Sequence, residues 1–151
     1  MKPFTLARVL QLAERQIETQ ARAVKLAHGV WLRARGRQVR LLALRDAHIA
    51  QLAGELRGGV SAEQLQERNR LQCAQAADRQ SAQTVIDEAY RDWQVRLAEW
   101  IQVEKRVKAL RLLEQRHLEQ VAIQGKRLEQ RQHDELVELM HSRGADRQRN
   151  R

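Results

Sequence analysis

The chain has 151 residues, with 28 Lys and Arg against 19 Asp and Glu, for a net charge of +9. It holds one Pro, seven Gly, three Trp, one Tyr and one Phe, too few turn formers and strand formers for a sandwich, a barrel or an α/β sheet. The residues in excess are Arg, Gln, Leu, Ala and Glu, all helix formers. A mean hydropathy of -0.68 beside a sustained apolar rhythm points to long helices with a narrow buried seam.

The segment Met1 to Leu12 lacks the long apolar core of a secretory signal. No apolar run approaches the roughly 20 residues of a membrane span. Any work at a membrane is therefore expected to go through a partner. Cys73 is the only cysteine, which excludes an internal disulfide and fits a reducing compartment.

The first predicted helix covers 5–56. Leu10, Ile17, Val24 and Trp31 recur every seven residues, and Leu6, Ala13, Ala27, Ala34 and Leu41 complete a 3–4 alternation. That spacing lays one apolar line on one face, suited to a partner helix. The next strong series is Leu42, Ile49 and Leu56, eleven residues on from Trp31. A step of seven plus four reads as a stutter, which unwinds a coiled coil locally without ending it.

A turn is expected at 57–60, around Gly58-Gly59. Ser61 and Gln64 then match a capping box, in which each side chain satisfies the other's backbone N–H. The second helix is predicted over 61–142. Its seam runs through Ile86, Trp93, Trp100 and Val107, again spaced by seven. A second stutter leads from Val107 to Leu118, and Val121, Leu128, Leu136 and Leu139 carry the stripe on. Residues 143–151 read as a basic, disordered tail.

The two seams mirror each other about Gly58-Gly59, pairing Trp31 with Ile86 and Val24 with Trp93. The expected fold is all-α: a long antiparallel two-helix coiled-coil hairpin forming one domain over 1–142, with the second helix longer. Helices of about 52 and about 80 residues span about 78 and about 120 Å. The end of the second helix thus projects past the first, with its leucine stripe uncovered.

Catalytic chemistry is not expected. Glu114-x-x-His117 and Glu138-x-x-His141 each resemble half of a di-metal site, but such halves must converge from different helices, and here both lie on one. Gly58-Gly59 lacks the strand and the Lys-Ser/Thr of a phosphate loop. Cys73 has no evident base partner. No metal, cofactor or small-molecule substrate is expected. The basic surplus has clearer content: Arg33, Arg37 and Arg40 share one face, a positive strip. The aromatic residues fall at seam spacing instead, which speaks against base stacking by that strip.

Three segments carry a resemblance. They are Phe4-Thr5-Leu6 with Val9-Leu10 and Leu12-Ala13-Glu14-Arg15; Trp100 with Glu104-Lys105-Arg106 and Leu110; and Arg127-Leu128-Glu129-Gln130-Arg131-Gln132-His133-Asp134-Glu135-Leu136. Together they resemble the family of the flagellar export protein FliJ, over roughly Phe4 to Leu139. The last segment is the most specific, because its polar residues stand outside the heptad pattern.

The resemblance implies a stalk similar to the central subunit of rotary ATPases, working in the flagellar type III export apparatus. It implies binding to the hexameric export ATPase FliI, promotion of its assembly, and contacts with the export gate protein FlhA, the ATPase regulator FliH and export chaperones. Its location would be cytoplasmic, on the inner membrane through that apparatus. Arg127, Glu129, Gln130, Arg131, Asp134 and Glu135 are the implied ATPase contacts. Leu41, Leu44, His48 and Leu71 fall near the implied gate contact. Three alternatives stay open: the equivalent stalk of a virulence injectisome, a basic coiled coil associated with nucleic acid, and a holdase-type chaperone hairpin using the stripe from Leu118 to Leu139.

Overall fold

The computed structural model describes residues 3–149, with side chains as far as Arg143. Two helices account for nearly all of it: α1, Ala7–Gly58, and α2, Ala62–Arg149. The fold is all-α, two long helices packed against each other as a hairpin. The chain divides into two compact units, Arg15–Glu104 and the pair of segments Met1–Glu14 and Lys105–Arg151.

The turn is built by local chemistry. α1 runs through Gly58, and Gly59 follows with φ of 83°, a left-handed backbone that glycine adopts without a Cβ clash. Ser61 then opens α2. Its Oγ accepts from the Gln64 backbone N–H at 3.2 Å, while the Gln64 side-chain oxygen accepts from the Ser61 N–H at 3.1 Å. This is the reciprocal capping box read from the sequence.

The link between the helices is therefore Gly59–Val60–Ser61, later than the expected 57–60. That moves the register. Trp31 meets Tyr90 and Trp93, at ring-centroid distances of 5.8 and 5.1 Å, instead of standing opposite Ile86. At the other end, α2 continues through Arg149, so the stretch expected as a disordered tail is helical from 143 to 149. Ser142-Arg143-Gly144 holds one glycine and no proline, and a lone glycine costs a helix only about 1 kcal/mol. Residues 150 and 151 of that expected tail lie outside the described residues.

In the unit Arg15–Glu104, Ala27, Ala82, Ile86 and Ala89 are buried, together with the polar Gln75 at 8% exposure. The face that α1 turns to α2 runs through Val24, Ala27, Trp31, Ala34, Gln38, Leu41, Arg45, His48, Leu52 and Glu55, each buried or half-buried. These positions alternate by threes and fours without interruption. The expected stutter is absent: Ile49 and Leu56, which it would bury, are 51% and 55% exposed. The phase holds because three of the polar residues on this line find partners on α2, while Arg45 pairs with Asp46 on its own helix. Gln38 bonds Gln83, His48 bonds Gln75, and Glu55 pairs with Arg68. A seam satisfied in this way has no need to shift toward the nearby leucines.

In the unit formed by Met1–Glu14 and Lys105–Arg151, Leu10, Ala13, Val107 and Leu110 are the buried residues. Glu114, His117 and Val121 continue the α2 line half-buried, while Leu118 is 61% exposed. The second stutter is absent too. Phe4 lies 5.7 Å from the His117 ring, and Arg111 donates to Glu14 at 3.0 Å. These contacts hold the polar positions in phase.

Candidate interaction surfaces

Three helix faces hold the residues singled out from the sequence. The first is the end of α2. Every described side chain from Ala122 to Arg143 is exposed. A helix turns by 3.6 residues, and that period sorts this segment into two sides. Leu128, Leu136 and Leu139 fall in line with Val121 and extend the seam beyond its cover. Arg127, Gln130, Arg131 and Asp134 fall on the opposite side, and Glu129 and Glu135 border the apolar stripe. All six residues implied as ATPase contacts are thus solvent-facing, and they form a charged back with acidic edges.

The second face lies near the turn. Leu44 and Leu71 are exposed there. Leu41 and His48 are half-buried and turn toward α2, His48 in its bond to Gln75. Of the four implied gate residues, two are therefore free for a partner and two belong to the seam. Arg45, beside them, is held by Asp46 at 2.8 Å.

The third face is the positive strip. Arg33, Arg37 and Arg40 are all exposed. Arg35 stands apart from them, its guanidinium carbon 4.9 Å from the centre of the Trp31 ring. There it makes a cation–π contact, which is stronger where water is partly excluded.

More converges at that ring than heptad spacing marks. Trp31 and Trp93 stack at 5.1 Å with 20° between their planes. His28 packs on Trp93 at 4.7 Å, and Tyr90 meets Trp93 edge-on at 5.9 Å. Heptad spacing marks the two tryptophans. His28 and Tyr90 sit three residues before Trp31 and Trp93 on their own helices, so the neighbourhood rule for helices was the available signal. Beside the cluster, Val24, Lys25, Leu97 and Trp100 help to line an open apolar groove of about 370 Å³.

Fold and surfaces together define an all-helical coiled-coil protein whose distinctive groups stand on helix faces. A family model described as Flagellar FliJ protein matches residues 1–146. The chain belongs to the flagellar FliJ family, a family of non-catalytic, export-associated proteins. No match is found among curated proteins or among solved structures. Among the described residues, no helix is long and apolar enough to cross a membrane.

Proposed function

We propose that this protein is a stalk of the flagellar type III export apparatus. It binds the hexameric export ATPase FliI, promotes its assembly and activity, and links it to the export gate protein FlhA, the regulator FliH and export chaperones. It serves flagellum biogenesis from the cytoplasmic side of the inner membrane, held there by the apparatus. The observation that carries the reading is the exposed end of α2 in a chain matched to the family over residues 1–146. That end offers a partner both an apolar stripe and a charged back, and nothing in its own unit covers either from Ala122 to Arg143. A helix end with this composition suits insertion into a ring whose lining supplies the missing second helix face.

The flagellar family match favours this system over an injectisome. The test is co-purification of the full chain with its cognate export ATPase. The expected result is a shift of that ATPase toward the hexamer with raised turnover. Asp134→Arg with Glu135→Arg should abolish the shift while circular dichroism stays unchanged, since both side chains are exposed. An ATPase bound no better by this chain than by an unrelated basic coiled coil sinks the proposal.

A further inference from the structure

Charge is divided between the two helices of the unit Arg15–Glu104. From Thr19 to Arg45, α1 carries seven Lys or Arg and no Asp or Glu. The stretch of α2 that it packs along, 76–102, has three Arg against five carboxylates. Two of the seven cations are engaged locally, Arg35 on Trp31 and Arg45 with Asp46. Arg22, Arg33 and Arg40 fall on the side of α1 turned away from α2, Lys25 stands at the rim of the groove beside Trp93, and all four are exposed. None of the four pairs with a carboxylate among the described residues.

The same outer side carries apolar residues that the seam does not use. Leu26, Leu32 and Val39 are 70%, 48% and 65% exposed. Gly29 and Gly36 lie between them, and the Arg33 and Arg40 guanidiniums lie back over these glycines, 3.4 and 3.8 Å from where a Cβ would stand. The outer face is therefore low, basic and studded with leucine and valine over about 27 Å from Arg22 to Arg40. Leu32 and Val39 share one flank of this face and Leu26 stands on the other, with the arginines between them. Basic residues interleaved with exposed aliphatic ones suit the headgroup region of a bilayer.

We propose that the outer face of α1, from Arg22 to Arg40, binds an anionic lipid surface directly. Lys and Arg neutralise the headgroups, while Leu26, Leu32 and Val39 enter the interface between them. The acidic flank of α2 faces away, so the charge division also sets which side lies down. Nucleic acid would engage the same cations, but it would leave the aliphatic residues without apolar partners, and no described aromatic residue stands on this face to stack on bases. This contact is independent of the ATPase-stalk reading and can stand or fall without it.

The experiment is flotation of the full chain with phosphatidylcholine vesicles, with and without phosphatidylglycerol. Partitioning should require phosphatidylglycerol and fall steeply with added salt. Each Arg near an anionic surface is worth about a fivefold change in partitioning, so Arg22→Gln, Arg33→Gln and Arg40→Gln together should lower it on the order of 100-fold. A positional readout separates this face from mere net charge. In a Cys73→Ser background, an environment-sensitive dye on Val39→Cys should shift blue on vesicles, and the same dye on Val95→Cys of α2 should not. Equal shifts at both positions, no dependence on phosphatidylglycerol, or full displacement from vesicles by stoichiometric duplex DNA would each overturn the proposal.

Discussion

Within the unit Arg15–Glu104, one seam is held by two kinds of physics. Around Trp31 and Trp93 it is aromatic and aliphatic: stacked indoles over buried Ala27, Ile86 and Ala89. Toward the turn the same heptad line becomes polar, through Gln38, Arg45, His48 and Glu55. Burial of apolar area stabilises the first stretch. In the second, hydrogen bonds and an ion pair chiefly avoid a penalty, because a polar group at a seam must find a partner or lose free energy. The apolar stretch therefore supplies stability, and the polar stretch supplies register.

Substitutions can break that contrast. The largest effect is expected from Trp93→Ala, which removes the ring that Trp31, His28 and Tyr90 all touch. A loss of about 3 kcal/mol is expected, read as a fall in the urea midpoint. In the polar stretch, Gln75→Ala should cost about 1–2 kcal/mol by stranding His48. Gln75→Leu combined with His48→Leu should restore most of that loss, and could exceed the parent while loosening the register. The smallest effect is the sharpest test of the seam's phase. Ile49→Ser should change stability by no more than about 0.5 kcal/mol, because the residue is exposed. A loss of about 2 kcal/mol or more would mean that the stuttered seam is the true one.

The fold class is legible in the sequence, since a period of seven in Leu10, Ile17, Val24 and Trp31 admits little but a coiled coil. The cap at Ser61 is legible as well, because both partners of a capping box sit three residues apart. The phase beyond Trp31 is not. Leu42, Ile49 and Leu56 form an apolar series that looks like a seam, while the true line passes through His48 and Glu55. Those polar residues gain their places from Gln75 and Arg68, which local pattern reading cannot bring near. Register is hidden from the local pattern for a related reason. A shift of the turn from Gly58-Gly59 to Gly59–Val60–Ser61 moves every opposing pair, and its effect is plain only once Trp31 is seen beside Tyr90. Among surface residues, exposure of Arg127 to Glu135 could be anticipated from the length difference of the helices. The division of the gate residues, Leu41 and His48 inward with Leu44 and Leu71 outward, depended on the phase that the stutter misread.

The stacked indoles have a spectroscopic consequence. Trp31 and Trp93 come from different helices and lie 5.1 Å apart, so their coupled near-ultraviolet dichroism exists only while those two helix segments are zipped together. No aromatic residue occurs between Trp31 and Tyr90 in the sequence, which leaves the polar stretch and the turn optically dark. The chain thus carries a built-in gauge for one half of a unit and a blank window for the other. Denaturation followed by indole dichroism and by amide hydrogen exchange would separate in time if the polar stretch unzips first.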